Sequence, residues 1–437
     1  MDHYFVRSKK GKVPFRLPET WSVLNNIIPT PTIATQPMDE MISGAIAQPI
    51  GSPPLSRLVI EKGKIVIILD DFTRPTPKAA ILTSLVHYLH ECGVDYDQID
   101  ILFGVGTHRG VTEDEAHQAL GPALRGKIRW TNHNSRAANL VSVGICSDCG
   151  EVKINPLLAA ADLRIGIGSV LPHPMLGFGG GAKLIMPGVS DFESIRRHHL
   201  STFLPRPGFA RMEGNAGRRG MIEAARLARL DFIINAVYNA QHDVMTIVAG
   251  DVEEAHEAGV RMSLREYSAK VDQSADVTII SAFPYEEGNQ IIKPIIPAAL
   301  VTKKGGTIVM VAPSIHGGRL PEPLLEAFDT IWAQFHCDAA KGAIECIKEG
   351  RLIIPSGPLD FNAAAYLNML LLNRVRVTLI SPDVTKEQAA RLGFGYAQSI
   401  EQAIHEVANH VPDATVNILP SGGMVVPLVK EVFSFEE

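Results

Sequence analysis

The chain has 437 residues, of which 46% are hydrophobic and 20% charged, with a formal net charge of −6. This is enough apolar material for more than one core, and too much for a disordered, collagen-like or coiled-coil chain. A mildly acidic balance without a long basic run excludes a nucleic-acid surface and points to a small-molecule partner.

In chain order, the basic residues Arg7, Lys9, Lys10 and Lys12 have no apolar stretch behind them, so no secretory signal is expected. The first fifty residues, with Pro29, Pro31, Pro37 and Pro49, read as an extended lead-in over the surface. Short runs rich in Val and Ile follow at 64–69, 99–103, 162–167, 231–236, 276–280, 306–311 and 375–380, with helical patterns between them, as at 78–91 and 112–120. That alternation predicts an α/β fold of buried, mainly parallel sheets flanked by helices. The polar helical stretch 251–270 precedes a fresh strand-helix series at Asp276. Two domains are therefore expected, a cofactor-binding catalytic domain over 1–270 and a C-terminal α/β domain over 271–437 that closes over a site in the interdomain cleft. No apolar run approaches the roughly 20 residues that span a bilayer. Five cysteines, an odd and low number, fit a reducing cytoplasm, and the single C-x-x-C pair, Cys146 and Cys149, reads as loop thiols.

Ligands of open α/β sheets gather beyond the carboxyl ends of the strands. Four such positions carry reactive residues: Asp71 and Arg74 after the first run, Gly106-Thr-His108 after the second, His173 through Lys183 after the third, and Gln290 with Lys293 after the fifth. The guanidinium of Arg74, held before Pro75, matches a carboxylate or forms an ion pair with Asp70 or Asp71. The turn Gly179-Gly180-Gly181 before Lys183 suggests a phosphate or nucleotide beside the lysine. It is not a Walker loop, because Ala182 and Leu184 stand where glycine and Ser/Thr are required. A dinucleotide turn fits poorly too, since His173-Pro174 interrupts the passage from strand to helix. Of the adjacent His198 and His199, at most one can enter the site, because neighbours on a helix point in different directions.

Together, Asp71-x-Thr-Arg74-Pro, Gly106-Thr-His108-Arg, His173-Pro, Gly179-Gly-Gly-x-Lys183, Pro187-Gly, His199, Glu213-Gly-Asn215 and Gln290-x-x-Lys293 resemble the lactate racemase family of nickel-pincer 2-hydroxyacid racemases and epimerases. The resemblance runs in order from about residue 60 to 300. It implies a nickel-pincer nucleotide joined to Lys183, with His199 as the protein ligand of nickel (Ni) and the glycine backbone serving the nucleotide phosphate. It also implies His108 and His173 as opposed acid/bases in a transient hydride transfer. Arg74 would hold the substrate carboxylate, with Gln290 and Lys293 also lining the substrate site, and Asp71 would join Lys183 and Gly179, Gly180 and Gly181 on the cofactor. The implied partners are a small 2-hydroxyacid and the cofactor-assembly enzymes, a sulfur transferase and a nickel insertase, in the cytoplasm.

The chain also departs from that pattern. Around 360–366 it lacks the tryptophan of lactate-specific members, Asn289 stands where a ring is usual, and His316 adds a polar residue in the 312–317 loop. These differences speak against lactate itself and leave malate-like, sugar-acid and other 2-hydroxyacid substrates open. A nicotinamide (NAD)-dependent 2-hydroxyacid dehydrogenase is the alternative enzyme, and a nucleotide-binding sensor without turnover is the alternative outside catalysis.

Overall fold

A computed structural model describes residues 3–8, 10–59, 63–285, 288–312, 320–335, 338–355 and 357–436. The chain forms two compact units, one of Pro31–Thr202 and Ala210–Glu266, the other of Met1–Thr30, Phe203–Phe209 and Tyr267–Glu437. Both are α/β.

The first unit is built on a six-stranded sheet in the order Val244–Gly250, Phe232–Tyr238, Leu163–Val170, Ile65–Asp70, Ile99–Gly104, Arg129–Asn132. All neighbours are parallel except Val244–Gly250, which returns antiparallel to Phe232–Tyr238. Ile65, Val66, Ile67, Ile68 and Leu69 are all buried, as a strand covered on both faces requires. Truncating one of them, as in Ile67→Ala, would cost about 2–5 kcal/mol. The Lys78–Glu91 helix turns Ile81, Leu82, Leu85, Val86 and Leu89 inward at helical spacing. The Glu113–Leu124 helix starts with a capping box in which Thr112 and Glu115 satisfy each other's backbone N–H groups.

The strand order sets the place of the site. From Ile65–Asp70 the chain runs outward through Ile99–Gly104 to Arg129–Asn132, then returns to the other side at Leu163–Val170. The reversal lies between Ile65–Asp70 and Leu163–Val170, and a crevice opens beyond the carboxyl ends of strands at such a switch point.

The second unit has its own six-stranded sheet, Gly395–Tyr396, Arg376–Ile380, Thr302–Val311, Ala275–Ser281, Thr415–Leu419, Ser22–Asn26, parallel throughout. Helices such as Glu322–Phe335, Leu359–Leu372 and Ile400–Ala408 accompany it. The expected surface lead-in is corrected here. Tyr4–Ser8 and Gly11–Phe15 pair as a hairpin, and Ser22–Asn26 is an edge strand. Val6, Phe15 and Trp21 explain why, since they are buried in one cluster with Val277, Val309, Val416 and Ile418. Among the described residues no helix is long and apolar enough to cross a membrane.

Candidate active site

Asp71, His108 and His173 follow three adjacent strands at the switch point. Asp71 comes directly after Ile65–Asp70 and is buried. Its Oδ1 accepts from the backbone N–H of Thr73 at 2.8 Å and from the Thr73 hydroxyl. Its Oδ2 lies 2.6 Å from Nδ1 of His108, which sits four residues past Ile99–Gly104. Burial by itself would push this carboxyl up. The charges of His108 and Arg74, with the hydrogen bonds from His108 and Thr73, outweigh burial and hold Asp71 ionised well below the usual carboxylate range. The carboxylate therefore takes the Nδ1 proton of His108 and leaves Nε2 as the basic nitrogen. Gly106 makes the approach feasible, with φ at +55° and space for a Cβ only 3.2 Å from the Pro187 carbonyl.

His173 ends the short strand Pro172–His173, paired with Gly177–Phe178. Its Nδ1 accepts from the backbone N–H groups of Met175 at 3.3 Å and Leu176 at 3.2 Å. With Nδ1 accepting, the proton of the neutral ring belongs on Nε2. The two histidines thus have Nδ1 engaged in opposite ways, as donor to Asp71 in His108 and as acceptor from backbone N–H groups in His173, and so adopt opposite tautomers.

The glycine turn differs in its working from a phosphate cradle. The N–H of Gly179 bonds the Leu171 carbonyl at 2.8 Å, and that of Gly181 bonds Oδ1 of Asn235 at 2.8 Å. Both donors are spent inside the protein. What the glycines supply is closeness: a Cβ on Gly180 would stand 2.6 Å from Asn235 Oδ1, and one on Gly181 would stand 2.7 Å from the His256 ring. Nε2 of His256 bonds the Gly179 carbonyl at 2.8 Å, so this buried histidine braces the turn from below. The Gly181–Leu184 turn then fixes Lys183, whose N–H bonds the Gly180 carbonyl at 3.1 Å.

His199 lies on the Phe192–Ser201 helix, N-capped by Asp191 through the N–H of Ser194. Its Nδ1 bonds the Ile195 carbonyl at 3.0 Å, which leaves Nε2 as the acceptor nitrogen. Burial first, then the charges of His198, Lys183 and His108, hold this ring down to about 3, and so neutral. His198 points elsewhere, fully buried with Nε2 2.7 Å from the Gly217 carbonyl. Asp71, Arg74, His108, Lys183 and His199 are thereby linked by the electrostatic influence each exerts on another.

Gln290 and Lys293 belong to the second unit, with Gln290 on the Gly288–Ile292 turn and the N–H of Lys293 bonded to the Gln290 carbonyl at 3.0 Å. The ammonium of Lys293 lies 4.9 Å from the centre of the Tyr285 ring. The 313–319 segment with His316, and the side chain of Asn289, fall outside the described residues. Cys146 and Cys149, expected as loop thiols, are joined as a disulfide across the ends of the Val141–Cys146 and Gly150–Ile154 hairpin and are buried. Sequence reasoning missed Asn235 and His256, which support the glycine turn. A polar residue inside the Phe232–Tyr238 run was the one available signal for Asn235, whereas nothing local marks His256.

The model of the lactate racemase N-terminal domain matches residues 9–209. The lactate racemases of Thermoanaerobacterium thermosaccharolyticum and Lactiplantibacillus plantarum are each 29% identical to this chain, over 401 and 398 residues, covering 89% of it and 90% of each relative. Residues 9–209 thus match the lactate racemase N-terminal domain, and the chain is similar to lactate racemases over 89% of its length. It is an isomerase of the racemase kind. The structure of the lactate racemase apoprotein from T. thermosaccharolyticum superposes with a TM-score of 0.87 at 26% identity, covering 98% of this chain and all of that one. A Thermotoga maritima protein, 19% identical with a TM-score of 0.64, covers 92% of this chain and all of its own, and shares the fold.

Proposed function

We propose that this chain is a member of the lactate racemase family that inverts the configuration at C2 of a 2-hydroxy acid, with a nickel-pincer nucleotide held by Lys183 and His199. The observation that supports the reading is the pair of histidines after the two strands that flank Ile65–Asp70, held in opposite tautomers. Inversion through a planar 2-keto acid needs one group to take the hydroxyl proton and another to return it. Nε2 of His108 takes the proton, Asp71 stabilises the imidazolium that results, and His173 handles the hydroxyl proton of the opposite configuration. Arg74 binds the substrate carboxylate, and its guanidinium fork suits that role. Gln290 and Lys293 are assigned to substrate by resemblance.

The residues present fit the cofactor. A neutral imidazole with Nδ1 tied to a carbonyl is a well-oriented metal ligand, and nickel accepts nitrogen and soft sulfur donors together. Among the described residues no three His, Cys, Asp or Glu side chains gather into a metal site of their own, in keeping with sulfur donors brought by the nucleotide. When bound, the cofactor supplies the acceptor for the hydride that leaves C2 and returns to either face. Lys183 provides the attachment, and the glycine turn, Asn235 and His256 keep it in place.

The test is co-expression with the cofactor-assembly enzymes and nickel, intact-mass analysis, and a chiral assay over lactate, malate-like and sugar-acid substrates. A mass increment on Lys183 with bound nickel and inversion of one panel member is expected. Absence of both the increment and nickel would sink the proposal, and net reduction of free NAD would favour a dehydrogenase.

A further inference from the structure

We propose that Lys78 is a positioning residue for the substrate anchor, its ammonium locking the turn that carries Asp71 and Arg74. The inference rests on the reading of Arg74 as the carboxylate anchor.

Lys78 is the first residue of the Lys78–Glu91 helix. The N-terminus of a helix carries partial positive charge, so a lysine there opposes the dipole, and helix stability gives no reason for it. Local rules broken in this way point to a role elsewhere in the fold. The side chain is nearly buried, at 10% exposure, and reaches back under the preceding loop. Its Nζ lies 2.8 Å from Oδ1 of Asp70, 3.0 Å from the carbonyl of Asp71 and 3.3 Å from the carbonyl of Arg74. The three contacts are two hydrogen bonds to carbonyls and an ion pair with Asp70.

The two carbonyls belong to the first and last residues of the turn, which is also closed by the N–H of Arg74 on the Asp71 carbonyl at 3.3 Å. Rotating either peptide would re-aim the Asp71 carboxylate or the Arg74 guanidinium. Asp70 is fixed in turn by the hydroxyl of Thr76, and the Pro75 carbonyl accepts from the hydroxyl of Tyr238. Every residue from Asp70 to Thr76 except Phe72 is therefore held by a named hydrogen bond, and the Lys78 side chain reaches the carbonyls at both ends of the turn.

The experiment uses the loaded enzyme. Lys78→Met combined with Asp70→Asn removes both charges, so neither is left buried alone. The expected result is a KM for the hydroxyacid raised about tenfold through Arg74, with a fall in kcat beside it because the Asp71 carboxylate is re-aimed as well. Lys78→Arg is the second variant. It keeps a charge beside Asp70, but a planar fork cannot meet three acceptors set around a tetrahedral nitrogen, so the same rise is expected. Adding Arg74→Met to either variant should raise KM no higher than Arg74→Met alone does, because both changes act on one contact. An unchanged KM in a folded Lys78 variant, while Arg74→Met alone raises it, overturns the inference. An unchanged KM in Arg74→Met itself overturns the anchor reading instead.

Discussion

Nδ1 of His108 and Oδ2 of Asp71 stand 2.6 Å apart, joining the ends of two adjacent parallel strands through one hydrogen bond. The carboxylate chooses the imidazole tautomer by accepting from Nδ1–H. Asp71→Asn keeps the shape and loses the charge. We expect kcat to fall by about 10²- to 10³-fold while the Lys183 attachment is retained. Rates measured alongside intact mass check this; a loss of attachment would assign Asp71 to cofactor binding instead.

The opposite tautomers of His108 and His173 are open to direct observation. In ¹⁵N NMR of the imidazole rings near neutral pH, the proton of His108 should be on Nδ1 and that of His173 on Nε2. Finding both rings in one tautomer would remove the basis for the acid and base pairing. His108→Gln and His173→Gln should each slow inversion by about 10²-fold or more, with nickel content unchanged.

His199 and Lys183 should separate by what they release. His199→Ala should lose nickel, read by elemental analysis, yet keep the mass increment on Lys183, whereas Lys183→Ala should lose both. Retention of stoichiometric nickel in His199→Ala would require another ligand.

The glycine turn should resist a single methyl group. Gly180→Ala puts a Cβ 2.9 Å from the Ser169 carbonyl at a φ of +75°. Positive φ alone costs a non-glycine residue about 1–3 kcal/mol. Urea unfolding should show a loss of at least that size, and attachment at Lys183 should weaken. A variant as stable as the parent would mean the turn can rearrange.

Acid should destabilise the unit that carries the site. His133, His198 and His256 are held down to about 4, and His199 to about 3, with burial the largest cause in each. Their ordinary value is 6.5, so between about pH 6.5 and 4 the unfolded chain binds more protons than the folded one, and stability falls as pH falls. Asp71, held low, adds a loss in the same direction below its ordinary value of 3.8. Asp70 and Asp231, raised by burial, offset part of it. Calorimetry should show Tm dropping by about 5 °C or more from pH 7 to pH 5. His198→Gln should flatten that slope, and a parent profile that is already flat would count against neutral burial of these rings.

The strands most legible in the sequence were those buried on both faces. The run expected at 99–103 forms Ile99–Gly104, and that at 276–280 forms Ala275–Ser281, since an unbroken apolar run has no stable alternative to burial. Thr415–Leu419 escaped notice because Asn417 interrupts it. That side chain is wholly buried and satisfied by Asn25 at 2.8 Å and the Val301 carbonyl at 2.9 Å, partners that only the fold supplies. Ser22–Asn26 and Arg129–Asn132 escaped for another reason: they are edge strands, half exposed, with little apolar pattern to read.

The sequence alone determined the α/β class and the candidate residues Asp71, Arg74, His108, His173, Lys183 and His199, because reactive side chains at strand ends and glycines before a lysine are local signals. Tertiary structure alone decided which nitrogen each histidine presents, where the glycine N–H groups go, and that Lys78 reaches back to Asp71 and Arg74. These are facts of hydrogen-bond partnership between residues distant along the chain or folded back on it. Composition and spacing name the donors and acceptors, but only packing pairs them.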